Sequence, residues 1–224
     1  DPATGEVWRR FEPATQSEVE AAVARARRAQ PAWAERPLAE RIRVLRRFHD
    51  ALYDRRAEVA RALTRENGKP LAEAIGSEIA ISMDFANYYA AEAPAFLRAP
   101  WRMAGQLSMK RKRIRIEHEA HGVIGVVSPW NYPFMLSAGL ILPALVTGNT
   151  VLLKPSEFTP TSGALLAELF GAAGVPSDVF AVLQGDGAVG AALVNAGVDK
   201  VFFTGSVATG RKVAVACGSE ERRG

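Results

Sequence analysis

From Gly122 to Leu153 the chain carries no charged residue. That run is longer than the roughly 20 residues a helix needs to span a bilayer. It is interrupted, however, by Pro129, Pro133 and Pro143, by Asn131 and Asn149, and by several glycines. A lipid-facing helix broken in this way would leave backbone groups without partners. Two buried strands around a buried helix account for the missing charges instead, so the run reads as the core of a soluble α/β domain with no membrane partner.

The sequence on either side supports that reading. Beyond residue 110 the segments alternate: RIRIEHEA, GVIGVV, PFMLSAGLILPALVTG, NTVLLK, SGALLAELFGAAG, DVFAVLQ, AVGAALVNAG, KVFFTGS and ATGRKVAVA. Short apolar runs between helices of about a dozen residues specify βαβ units and a mainly parallel sheet. Runs as continuous as TVLL and VFF require cover on both faces. In such sheets ligands bind beyond the carboxyl ends of the strands, which points to the segments after Val127, Leu153, Leu183 and Phe203.

The first hundred residues read as helices. Ser17 and Glu20 form an S-x-x-E capping box ahead of Val19, Val23 and Ala26 at helical spacing. A second amphipathic helix runs through Leu38, Ile42, Leu45, Leu52 and Val59, with arginines on its other face. ENGKP (66–70) stops it through Gly68 and Pro70, and a third helical region follows from about Leu71 to Leu97.

Composition narrows the function. A hydrophobic fraction of 48% with 23% charged residues is that of a folded globular protein. The net charge of +4 is too mild to argue for a nucleic-acid partner. In the basic cluster KRKRIRIEH, Arg113 and Arg115 alternate with Ile114 and Ile116, the period of a half-exposed strand. The one cysteine, Cys217, excludes an internal disulfide and fits a reducing, cytoplasmic compartment. The first residues, DPATGEVW, lack the basic start and apolar core of a signal peptide.

Four strand-end segments can carry chemistry. PWNYP (129–133) is a rigid turn in which Asn131 either satisfies local backbone groups or offers its amide N–H to a developing oxyanion. In LKPSE, Lys154 and Glu157 form either a surface ion pair or a grip on neighbouring ribose hydroxyls. QGDGAVG spells G-x-G-x-x-G with Gly185, Gly187 and Gly190, a weak match to a dinucleotide loop; no acidic partner follows about twenty residues on. In FTGS, Ser206 after Gly205 is either a helix cap or a phosphate contact at the positive end of a helix.

Taken in order, PWNYP, GNTVLLKPSE, GAAGVPSDVFAVLQGDG and KVFFTGSVATGR resemble the aldehyde dehydrogenase superfamily. DPATGE near the start, Trp33, and ARALTRENGKPLAEA, where the family usually carries E-T-G-K-P, extend the resemblance over nearly the whole chain. It implies an α/β fold with a Rossmann-type cofactor domain and a catalytic domain that this chain lacks. Residues 1–108 would be its amino-terminal helical part, 109–122 a small β oligomerisation element, and 123–224 the βαβ part. The intact protein would be a homodimer or homotetramer.

The resemblance implies site roles as well. Asn131 would donate to the oxyanion formed when a cysteine thiolate attacks an aldehyde; the thiohemiacetal and thioester that follow lead to a carboxylic acid. Ser128 and Trp130 would line the cofactor cleft, and Tyr132 and Met135, with Leu136 beside them, the substrate tunnel. Lys154 and Glu157 would hold the adenosine ribose, with Glu157 favouring NAD over NADP. Gly205 and Ser206 would face the pyrophosphate, and Gly185 and Gly190 the adenine. The family's nucleophile and general base have no counterpart here: Cys217 sits in VAVAC, where a buried structural thiol is expected, and Glu220 and Glu221 lack the matching context. His118 and His121 have no further partners for a metal. The chain alone is expected to be inactive and poorly soluble. The other reading is a non-catalytic nucleotide-binding or interaction module. The sequence does not name the aldehyde.

Overall fold

The computed structural model describes residues 1–103, 105 and 111–218. Lys110, residues 109–110 of the expected oligomerisation element, and Glu220 and Glu221 lie outside the described residues.

Helix α1 (Gln16–Glu35) is capped one pair earlier than the sequence suggested. Thr15 Oγ1 accepts from the Glu18 N–H at 3.3 Å, and Thr15 N–H donates to Glu18 Oε2 at 2.7 Å. The two S/T-x-x-E patterns overlap, and the earlier one adds two residues of hydrogen-bonded helix. Helix α2 (Leu38–Asn67) ends at Gly68, whose φ of +83° supplies the left-handed cap that other residues resist. The third helical region is composite: α3 (Leu71–Glu73), a π-helical segment (Ala74–Ala80), then α4 (Ile81–Phe96). The π segment contains Glu78, a wholly buried acidic side chain, and was not expected.

Strands β1 (Arg102–Met103) and β2 (Arg113–Ile114) form a two-stranded antiparallel pair. Here the sequence reading needs correction. RIRIEHEA is strand at only two residues, and Ile114 and Ile116 are as exposed as their arginine neighbours. Ile114 is 49% exposed and Ile116 66%.

The main sheet has four parallel strands in the order β5–β4–β3–β6: β3 (Val123–Val127), β4 (Thr150–Lys154), β5 (Phe180–Val182) and β6 (Lys200–Phe203). The connections are α5 (Pro133–Val146), α6 (Pro160–Ala172) and α7 (Gly187–Asn195), and α8 (Val207–Gly218) follows β6. Thus the uncharged run is strand, turn, helix and strand. No described helix is long and apolar enough to cross a membrane.

Side chains alternate across the sheet as the two-residue period demands. Ile124, Val126, Val151 and Leu153 join the core beneath α2, α4, α5 and α6, while Val123 and Leu152 join α1 and α7 on the opposite face. Gly125 lies against α7, where an added Cβ would sit 3.5 Å from Leu193. The larger core is fixed by Phe48 stacked on Phe170 at 4.3 Å between ring centres. Trp33 is 1% exposed and donates from Nε1 to the Leu145 carbonyl at 3.0 Å. Buried Asn149 closes the core's lower end, accepting from Gly122 N–H and donating to the Ala144 carbonyl. The amino-terminal helices therefore belong to the same packed body as the sheet. All four strand carboxyl ends emerge on one side.

Candidate functional site

At that side a cleft of about 680 Å³ opens between the ends of β3, β4 and β6 and the starts of α7 and α8. Of the expected cofactor residues, Ser128, Trp130, Lys154, Glu157, Gly190, Gly205 and Ser206 line it. Gly185 does not. Its φ of +141° shapes the turn before α7, where a Cβ would collide with Val189, so it makes the loop and Gly187 and Gly190 make the wall. Beside Gly187 there is open space where a side chain would stand. Phe158, Thr209 and Lys212, which sequence reasoning did not single out, also face the cleft.

One end of the cleft is electrostatically defined. Lys154 is 4% exposed at the end of β4, and its Nζ lies 3.3 Å from Glu157 Oε2, which is partly open to solvent. A buried cation at a strand end, paired with a half-exposed carboxylate, leaves both groups able to meet adjacent hydroxyls. At the other end Ser206 accepts from Thr209 N–H at 3.2 Å and donates to Thr209 Oγ1, so it serves as the cap of α8. Gly205, Ser206 and Thr209 thus line the cleft at the start of α8, the positive end of the helix dipole. The volume, the Lys154–Glu157 pair, the glycine wall and the helix start have room and polar groups for a dinucleotide. No group of three or more potential metal ligands occurs among the described residues.

Trp130, 56% exposed, marks the cleft boundary, and Asn131, Tyr132 and Met135 continue beyond it. Asn131 is exposed, and its side-chain amide makes no hydrogen bond among the described residues. The local-cap reading of that asparagine is therefore not what the turn does. Tyr132 donates its hydroxyl to Glu73 Oε1 at 3.2 Å, and that carboxylate pushes the phenol's pKa up. Met135 is half-buried at the start of α5.

The turn is held from behind by residues taken in the sequence for a helix stop. Asn67 Nδ2 donates to the Trp130 carbonyl at 2.6 Å, and Lys69 Nζ donates to the Asn131 carbonyl at 2.9 Å. Lys69 also pairs with Glu78, and both are almost fully buried. Glu78 Oε2 accepts from the Phe134 and Met135 N–H groups at 2.8 and 3.2 Å, capping α5. Glu66, in the same turn, accepts from the Thr161 and Ser162 N–H groups and caps α6. Burial raises its pKa, against the lowering effect of those hydrogen bonds. A lysine in a tight turn, nine residues before an acid in an apolar helix, was the available signal for this network.

Cys217 is a correction. It is exposed near the end of α8 rather than buried, because α8 buries none of its residues.

Solved structures with this architecture include an NAD-dependent benzaldehyde dehydrogenase from Corynebacterium glutamicum, 33% identical with a TM-score of 0.88, matched over 96% of this chain and 46% of that one. An NADP-dependent enzyme from E. coli is 36% identical at a TM-score of 0.90, over 96% and 44% of the two chains. A lactaldehyde dehydrogenase is 31% identical at 0.86, over 95% and 43%. The chain thus spans less than half the length of these proteins. The model of the aldehyde dehydrogenase family matches residues 1–223. With the cleft at its strand ends and that match along its length, the chain belongs to the aldehyde dehydrogenase family.

Proposed function

We propose that this chain forms the cofactor-binding and oxyanion-stabilising part of an enzyme that oxidises an aldehyde to a carboxylic acid with NAD+. The observation that carries the reading is the juxtaposition of a dinucleotide-sized cleft with an exposed asparagine amide that has no hydrogen-bond partner among the described residues. When bound, the nicotinamide dinucleotide supplies the hydride acceptor. Lys154 donates to one ribose hydroxyl and Glu157 accepts from its neighbour, the geometry that their 3.3 Å separation supports. A 2′-phosphate would meet the Glu157 carboxylate as a like charge, which favours NAD over NADP. Trp130 walls the cleft beside the turn, and Tyr132 and Met135 border the aldehyde's approach.

Asn131 donates an N–H to the aldehyde oxygen as it gains negative charge. Such a donor acts because it is already oriented and does not titrate. The thiolate that attacks, and the base that activates water, are supplied by residues outside this chain. In the division proposed here, residues 1–108 and 123–224 build the cofactor domain, and 109–122 reaches another subunit. The exposed Trp101, Met103, Ile114 and Ile116 around β1 and β2 support such a homodimer or homotetramer contact.

Asn131→Ala in the intact protein tests the reading. It should lower kcat/KM for the aldehyde by about 10²- to 10³-fold, the usual loss for one oxyanion donor, while NAD+ affinity holds. Activity near that of the parent would contradict it. The 224-residue chain by itself should not reduce NAD+ with aldehydes; turnover that Cys217→Ser abolishes would place the nucleophile here instead.

A further inference from the structure

Two consecutive carbonyls of the turn, those of Trp130 and Asn131, each accept a hydrogen bond from a side chain of the ENGKP segment. Those carbonyls belong to the two peptide planes on either side of the Asn131 Cα. A residue's φ and ψ are the rotations between its flanking planes, so tying down both planes fixes the direction of its Cα–Cβ bond. We propose that Lys69, held by Glu78 and assisted by Asn67, is a positioning residue that aims the Asn131 amide at the developing oxyanion. This rests on the oxyanion role given above to Asn131.

The burial pattern favours a directional task over a merely stabilising one. Lys69 is 6% exposed and Glu78 is 0% exposed, and a buried ion pair is seldom more stabilising than apolar residues of the same size. What the pair supplies is orientation. Lys69 has one donor on Glu78 and another on the Asn131 carbonyl, with its ammonium 4.3 Å from the centre of the Tyr132 ring. The other Glu78 oxygen grips the first two free N–H groups of α5, immediately after the turn. One carboxylate therefore locks the turn and the helix that follows it to the same lysine. Gly68, with φ at +83°, lets the chain turn between Asn67 and Lys69, and Pro70 fixes the backbone directly after Lys69.

The test is a double-mutant cycle in the intact protein, using whichever of benzaldehyde, propanal or lactaldehyde the parent oxidises fastest. Lys69→Met should lower kcat/KM for the aldehyde by about 10- to 100-fold, as small misplacements of a catalytic group do. The dissociation constant for NAD+, read by fluorescence titration, should stay within about twofold. In the Asn131→Ala background, Lys69→Met should cost no more than about threefold further, since the two act as a unit. Asn67→Asp, which sets an acceptor against the Trp130 carbonyl without burying a charge, should show the same pattern and decides the matter if Lys69→Met does not fold. Losses that multiply fully in the Asn131→Ala background, or NAD+ affinity falling in parallel, would reduce the clamp to ordinary structure. Asn131→Ala at parental activity, or a parent that oxidises none of the three aldehydes, would remove the oxyanion reading and the positioning role with it.

Discussion

Helices α5 and α8 both follow a strand of the sheet, and both begin beside the cleft, yet they are built differently. Nine of the fourteen residues of α5 are buried, its first N–H groups are capped by Glu78, and its end is tied down through Trp33 and Asn149. Helix α8 buries none of its residues, and Val207 and Val215 are 73% and 75% exposed. Among the described residues its side-chain cap is its own Ser206, and β6 before it is the half-buried edge of the described sheet. The turn before α5 is thus tied down by side chains of this chain, whereas α8 has little of it packed beneath. Of the two helix starts, the one beside Asn131 is the more firmly held.

Substitutions at the two helices should separate them sharply. Glu78→Ala leaves Lys69 buried without its carboxylate and strips the cap from α5; it should cost about 3–5 kcal/mol, read by urea denaturation of the intact protein. Leu142→Ala on α5, at a position 0% exposed, should cost about 2–5 kcal/mol. Val215→Ala on α8, measured in the 224-residue chain, should stay within about 0.5 kcal/mol. A large effect at Val215 would mean that α8 is packed, and the contrast would dissolve. In the 224-residue chain, hydrogen exchange resolves the same difference without mutation: α5 amides should open only with the whole domain, and α8 amides through local fraying.

A smaller effect concerns pH. Burial holds the Glu66 carboxyl above its ordinary value of 4.5. The folded protein then binds more protons at this site than the unfolded chain, so its stability falls as pH rises through and above 4.5. Glu66→Gln should remove that dependence and gain on the parent across the same window. A parent that instead gains on Glu66→Gln as pH rises would show that the hydrogen bonds from Thr161 and Ser162 outweigh burial.

Much of this architecture was legible in the sequence because buried parallel strands leave uninterrupted apolar runs. GVIGVV, TVLL, VFAV and KVFF each became a strand, and their carboxyl ends located the cleft. Lys154, Glu157 and Asn131 stood out because they are polar residues at the ends of such runs. The clamp did not, because it is tertiary: Lys69 and the Asn131 carbonyl are 62 residues apart. ENGKP carries clear local stop signals that conceal its second use, and nothing in the pattern of AIGSEIAIS says that its glutamate turns inward. The expected burial of Cys217 went wrong for a physical reason. Sequence period shows which face is apolar, but not whether a neighbour is there to cover it.

The most direct test of the account is calorimetric titration of NAD+ into the protein, parent beside Lys154→Ala. A single saturable site, weakened at least about tenfold when the charged donor is lost, is the predicted result. Absence of saturable binding, or binding indifferent to Lys154, would contradict the assignment of this cleft to the dinucleotide.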